Sequence, residues 1–515
     1  MLSPSRFSIP IKGWNTITPI REMGHEYATA LENIWFDQAA GMNRRPGQQA
    51  IVTNSIASGI ESLFEYRDIA GTSTIFSWSN GIVYKQSGST FNSDLVFIFN
   101  QRVRSQQMGG AMIVGDGITT RTYTTAGGWS ASAPTGAQPM NMFTVYKGRM
   151  YGAGNPGAKM TLYYSDVVGV GSAGITDWTA TGPGGFIDLT GAIGTGDEIT
   201  GISNFQGMLV VFLQNAIVFY SGVNPIFTSI QKVIRGIGCV SHDSIQGIGN
   251  DLIFLSRFGF KKLSEVLVQG DAAAGDASTP INNYVVNQLE KLNVSFSSIR
   301  STFAEKFGVY LCTFGNLTLA YHVFFDAWSP WYGLGPTLYT KEDGTVLVAG
   351  TTLQQLSTSA YGDTIGDATE SPIPMRWDSA PFRSKGAEIK ARWRFIELIY
   401  ESNVNEPINV STWIDLDLST MITNTVTLSP TIVVPTPDSM VWGSSSGSSD
   451  LRRKWGNVTN KIKWAGSTTG TLSGDVRIPI VGRSELLTMR VANENISAFK
   501  ITANEIYTID GGLRP

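Results

Sequence analysis

Closely spaced hairpin turns, few charged residues and strands that are apolar on both faces predict an all-β chain. The expected form is a β-propeller of about six or seven blades with an appended β-sandwich-like domain. Only 15% of the 515 residues are charged, against roughly 25% in an average soluble domain. Glycine, at 56 residues, is over-represented and aromatics reach 11%. Short strands joined by turns use such a mixture, because aromatic and β-branched residues suit a pleated surface while Gly, Asn and Ser suit turns.

The turns come first. "TIFSWSNGIVYKQSG" from Thr74 reads as strand, Asn80-Gly81 turn, strand, and Asn-Gly between β-prone runs is the strongest short-range hairpin signal. "MIVGDGITTRTY" repeats the design around Asp116-Gly117, and "FTVYKGRMYGAG" around Lys147-Gly148. "ITGISNFQGMLVVFLQNAIVFYSG" (Ile199 to Gly222) turns at Asn204 to Gly207 and again at Gln214-Asn215. "SIQGIGNDLIFLSRFGFKKLS" turns at Gly249-Asn250 and near Phe258-Gly259, and the segments from Phe303 and Lys341 continue the series.

Met208 to Leu213 do not alternate with polar residues, so neither face of that strand expects water. A single sheet with one wet face would alternate. Blades stacked around an axis instead cover their middle strands on both sides, and units recurring every 30–60 residues, roughly, fit that arrangement. "INNYVVNQLEKL" sets Tyr284, Val285, Leu289 and Leu292 on one face and is the best helix candidate.

Near residue 365 the character changes. Pro372 and Pro374 mark a boundary, and long strands follow from Ala391, Ile408 and Leu486. The expected domains are a closing arm over 1–40, a propeller over 41–365 and a sandwich-like domain over 366–515. Within the last lies the Gly/Ser tract 442–456, expected to be a mobile loop. Its Arg452, Arg453 and Lys454 are candidates for contact with a partner or DNA, set against the plainer reading of a solvated loop tip.

A net charge of −3 argues against electrostatic capture of nucleic acid or anionic lipid, though not against DNA passing through a conduit. The N-terminus lacks the apolar core of a signal peptide, and no apolar run approaches the ~18 residues of a membrane span. Cys239 and Cys312 are the only cysteines and read as buried free thiols. Three histidines stand apart from one another, and HExxH, GxSxG and P-loop patterns are missing, so neither a metal, a cofactor nor an active site is expected.

Four segments, in order, resemble one family. "ALENIWFDQAAGMNRRPGQQ" carries an L-x-N element (Leu31, Asn33) and, after a gap, Arg45, Pro46 and Gly47. "ITGISNFQGMLVVFLQNAIVFYSG" resembles a blade signature through Phe205 and Gly207, and "GCVSHDSIQGIGNDLIFLSRFGFKKLS" resembles the next through Asn250 and Asp251. "YHVFFDAWSPW" is similar to a recurrent blade ending through Trp328 and Trp331. These match the tail nozzle family (tail tubular protein B, or packaged-DNA stabilisation protein) of short-tailed, podovirus-like phages, over about residues 15–365.

The resemblance implies a structural virion protein assembled in the host cytoplasm: a homo-hexameric ring below the adaptor, or head-to-tail connector. It implies partners in tailspikes or tail fibres and a tail needle, with double-stranded DNA passing through without sequence-specific binding. Arg45 is expected to pair with a carboxylate or with blade carbonyls, because Pro46 holds it extended, while Gly47 permits a sharp turn. The alternative is a glycan-binding or glycan-cleaving propeller, which would need a carboxylate pair in its central cavity to cleave.

Overall fold

The computed structural model describes residues 3–7, 9–96, 98–169, 174–181, 184–194, 196–222, 229–269, 275–292, 298–315, 317–364, 370–383, 391–402, 405–428, 474–480, 483–495 and 499–509. The loop at 442–456, with Arg452, Arg453 and Lys454, lies outside them.

Seven small antiparallel sheets follow one another along the chain. Their first strands are Ser62–Arg67, Arg104–Met108, Met142–Tyr146, Ile199–Phe205, Gln246–Ile248, Arg300–Ala304 and Thr337–Thr340, and define blades 1 to 7. These first strands follow one another around the ring, blade 4 meeting blade 5 through the turn His242–Ser244, and Thr337–Thr340 returns to Ser62–Arg67, so they form the inner wall of a closed ring. Blade 5 has three strands, followed by the helix Leu263–Gln269. The outer strand of blade 7 is Gly47–Ala50, drawn from ahead of blade 1 and paired to Leu353–Ser357, which closes the ring.

Each neighbouring pair of blades encloses its own apolar core. Blade 4 shows why its middle strands lack alternation. Val210, Phe212, Ile217 and Phe219 face blade 5 against Leu252 and Phe254. Leu209, Val211, Val218 and Tyr220 face blade 3 against Tyr146, Tyr151 and Leu162. Every one of these eight side chains is under a tenth exposed, so both faces are desolvated and apolar residues on both are favoured.

The turns follow local chemistry. Asn80-Gly81 and Lys147-Gly148 have both residues at positive φ, the backbone a two-residue hairpin needs. Asp116 works differently. It accepts from the backbone N–H groups of Asn100, Gln101, Ile118 and Thr119, holding a wider loop rather than a two-residue turn. The expected helix spans Asn282–Leu292 and buries Val285 and Leu289 between blades 5 and 6.

Two further sheets form the sandwich. One contains Ile34–Phe36, Met42–Arg44, Ala391–Ser402, Gly474–Pro479 and Phe499–Ile509; the other contains Ala28–Glu32, Met375–Ser379, Glu406–Ile414, Ile422–Leu428 and Leu486–Asn493. Their shared core joins Leu31, Trp377, Val410 and Val491 to Phe36, Met42, Ile396 and Ile501. This corrects the expected domain boundaries. Segment 1–40 is no closing arm: its strands belong to both sandwich sheets, with Leu31 opposite Trp377 in one and Ser5 opposite Ile506 in the other. Closure falls to Gly47–Ala50. The chain starts in the sandwich, crosses to the propeller, circles it and returns.

Candidate functional site

The crossing from sandwich to propeller is the dipeptide Arg44-Arg45, whose side chains diverge. Arg44 bonds to Asn493 and to the carbonyl of Asn495, with Glu406 4.0 Å away, inside the sandwich. Burial pushes its guanidinium down to about 10, against the pull of Glu406. Arg45 turns the other way and is 2% exposed. Its Nη1 and Nη2 form a fork on Asp363 at 3.0 and 2.5 Å. The remaining N–H groups donate to Asn33 Oδ1, Pro46 O and Tyr332 O at 3.2, 3.0 and 2.9 Å. All five donors of the guanidinium are thereby used.

Asn33 is the second half of this joint. Its φ is 55°, a left-handed conformation that Asn adopts more readily than most residues. Its N–H donates to Pro330 and its carbonyl accepts from Arg45 N. Its Nδ2 donates to Pro374 O at 2.7 Å, while Oδ1 also receives Tyr332 N at 2.7 Å. Aspartate would lack the Nδ2 donor. Around this pair, Trp331 Nε1 and Ser329 Oγ both donate to Ile34 O at 2.8 Å. His322 Nε2 meets Ser329 Oγ at 2.9 Å, and burial pushes the ring's pKa down to about 3.

Gly47 is needed for a reason other than the one expected. Its φ is not positive, and it opens a strand rather than a sharp turn. A Cβ there would sit 2.2 Å from Gly362 O and 2.6 Å from Ala360 O. Close backbone approach, not turn freedom, excludes a side chain.

The other motif residues lie away from the joint or make no bond to Arg45. Phe205 packs between blades 4 and 5, and Gly207 takes φ 77° in the hairpin turn with open space around it. Asn250 is exposed in the turn at Gly249. Asp251 Oδ1 accepts from Ser264 N at 2.9 Å and Oδ2 from Ser264 Oγ at 2.5 Å, which caps the start of the helix Leu263–Gln269. Trp328 is fully buried, donates to Ala277 O at 2.7 Å and stacks on Phe260 at 4.7 Å. Leu31 lies in the sandwich core. Thus Asn33, Arg45, Pro46, Gly47 and Trp331 converge on the joint, whereas Phe205, Gly207, Asn250 and Asp251 do not.

A second cluster lies at the propeller axis, where the inner strands begin. Arg104 Nε and Nη2 form a fork on Asp243 at 2.9 and 2.6 Å, and Arg102 Nη1 donates to the same carboxylate. The arginines precede or open blade 2 and Asp243 precedes blade 5, three blades away in a ring of seven, so the contact spans the axis. Arg300, opening blade 6, donates to Ile299 O at 2.9 Å and Glu61 O at 3.4 Å. Burial works to raise the Asp243 pKa, but Arg102 and Arg104 outweigh it and hold the carboxyl well below its usual range. Burial, then repulsion from Arg300 and Arg104, pushes Arg102 down despite Asp243. Arg300 is pushed down to about 10, chiefly by burial. His242 beside them is lowered to about 4 by burial and then by Arg104, so it is neutral near pH 7, and its Nδ1 accepts from Ile202 N at 3.4 Å.

Cys239 and Cys312 are buried free thiols, both pushed upward by burial. Among the described residues, no three His, Cys, Asp or Glu side chains converge as a metal site, and no helix is long and apolar enough to cross a membrane. The sequence singled out Arg45 but missed Arg44, Asp363 and the whole axial cluster. Paired arginines in a chain so poor in charge are the one signal that points to the first of these.

No protein-family model matches the sequence, and no curated protein matches it. Among solved structures, the extracellular domain of BT4673 from B. thetaiotaomicron is 10% identical, with 67% of this chain and 42% of that one covered at a TM-score of 0.42. The AfRom2 CNH domain is 9% identical, covering 60% and 99% at 0.37. The Neurospora crassa Pan2 WD40 domain is 10% identical, covering 61% and 92% at 0.34. The chain spans less than half the length of the BT4673 domain it matches.

Proposed function

We propose that this chain is a structural subunit of a short-tailed phage nozzle: a homo-hexameric ring below the adaptor that extends the DNA channel, retains the packaged genome and releases it. The observation that carries this reading is the joint. The residues of the nozzle resemblance that come together, Asn33, Arg45, Pro46, Gly47 and Trp331, bury their bonding groups in locking the sandwich against blades 6 and 7. A ring that confines DNA has to hold its wall against load, and a saturated, buried joint resists hinging between the two domains. The mildly acidic chain, at −3, repels phosphates weakly and lets a duplex slide.

The glycan-cleaving alternative needs two carboxylates with separated roles, one with a raised pKa to act as acid. At the axis the inner strands bring up Asp243, clamped by two guanidinium groups and shifted in the opposite direction. A groove between blades 6 and 7 is lined by Lys306, Phe307, Thr345, Gln355 and neighbours, with no carboxylate.

The test is electron microscopy of phage tails, or of the chain mixed with its adaptor. Six-fold rings of this chain around an open channel are expected; the isolated chain is expected to stay monomeric until it meets the adaptor. A chain absent from the virion, or saturable sugar binding with turnover on a glycan panel, would overturn the reading.

A further inference from the structure

We propose that the axial arginine cluster is a binding site for a small inorganic oxyanion of the phosphate or sulfate class. Three guanidinium groups, Arg102, Arg104 and Arg300, gather at the mouth of the ring around one carboxylate, Asp243. Glu61, whose carboxylate also favours the Arg300 cation, is itself exposed. Among the described residues, three guanidinium groups thus face the carboxylates of Asp243 and Glu61 where blades 1, 2, 5 and 6 meet. Guanidinium forks match tetrahedral oxyanions, donating two parallel hydrogen bonds to them.

Two neutral groups adjoin the cluster along the chain, His242 beside Asp243 and Ser62 beside Glu61. Because His242 Nδ1 accepts from Ile202 N, the neutral ring keeps its proton on Nε2. Ser62, one residue from the carbonyl that receives Arg300, buries a hydroxyl with no partner at 3% exposure. Access is narrow but open: the Arg102, Arg104 and Asp243 side chains keep 15, 16 and 14% of their surface. Those exposed edges leave the guanidinium groups within reach of small solutes. The inference is independent of the assembly proposed above, since it concerns the axis of a single propeller.

The test is titration calorimetry of the full chain with inorganic phosphate and with sulfate, against sodium chloride at matched ionic strength, with thermal unfolding in parallel. Saturable binding and a Tm that rises with phosphate are expected. Arg300→Gln should weaken phosphate at least about tenfold, the loss expected for a hydrogen bond to a charged group. Asp243→Asn removes the competing carboxylate. It should bind phosphate about tenfold tighter, and its lowered Tm in chloride should recover in phosphate. Phe258→Ala, at an exposed turn, should leave binding unchanged. Wild-type titrations with no heat beyond the chloride control would overturn the proposal, even if Asp243→Asn failed to fold. Competition by a short DNA duplex would overturn the small-anion assignment in favour of a nucleic-acid contact.

Discussion

Arg45 meets one carboxylate, and each of its other N–H groups finds an acceptor. At the axis, by contrast, Asp243 is shared between Arg102 and Arg104 while Arg300 stands close enough to repel both. The two sites use the same side chains in a similarly sheltered setting, yet one is electrically closed and the other is not. Burying a charge is costly unless it is paired and its hydrogen bonds are made. The closed site is therefore a fastener. The open one gathers three guanidinium groups around the Asp243 carboxylate, and a second anion would relieve their mutual repulsion.

The largest effect should come from breaking the closed site. Arg45→Ala strands Asp363 in a buried position and leaves Asn33 Oδ1 one donor short. The expected cost is about 3–5 kcal/mol, as for other broken buried pairs, read as a fall in the urea midpoint. Arg45→Lys keeps the charge but not the fork, and should recover only part of it. At the open site, Arg300→Gln removes a cation from a repulsive group, so its cost should be within about 1 kcal/mol. Equal losses at both positions would erase the distinction.

The histidines sharpen the comparison, because one sits at each site. His322, at the joint, is lowered to about 3, and His242, at the axis, to about 4. Below pH 6.5 the unfolded chain binds protons that these folded rings refuse. Their contribution to stability is thus complete above about pH 6.5 and is lost as pH falls towards the folded values. Each tenfold loss of proton affinity on folding corresponds to about 1.36 kcal/mol, so the two rings together contribute on the order of several kcal/mol. Urea titrations at a series of pH values should show this slope, and His322→Gln or His242→Gln should flatten it in part. Arg104→Gln should weaken the His242 share alone, since Arg104 is a cause of that depression only.

What the sequence disclosed was local. Asn80-Gly81, Lys147-Gly148 and the two-faced strand Met208–Leu213 announce themselves within a few residues, because turn backbone and desolvation act at that range. The partners of Ser5 and Leu31 lie more than three hundred residues away, so no periodicity in 1–40 reveals a sandwich. Gly47 misled in an instructive way: after proline a glycine suggests a turn, and only the opposing carbonyls of Ala360 and Gly362 show that space is the constraint. Arg45 was legible through its motif. Arg102, Arg104, Asp243 and Arg300 were not, since each alone looks like an ordinary surface charge and only ring closure brings them together.

The smallest effect separates charge balance from burial. On the sandwich, Asp378 accepts a fork from Arg376 at 3.1 and 2.6 Å and another from Arg490 at 2.7 and 2.8 Å. Glu32 adds a second carboxylate 3.4 Å from Arg376, so two cations face two anions. The balance matches the joint, but Arg376 keeps 37% of its side chain in solvent. Water then supplies most of what a lost partner would have given, and Asp378 retains Arg490. Arg376→Ala should cost only about 0–1 kcal/mol, and the loss should shrink further in high salt, where exposed charges are screened. Arg45→Ala should barely respond to salt. If both variants behaved alike, neither burial nor the saturated fork would be what makes the joint rigid.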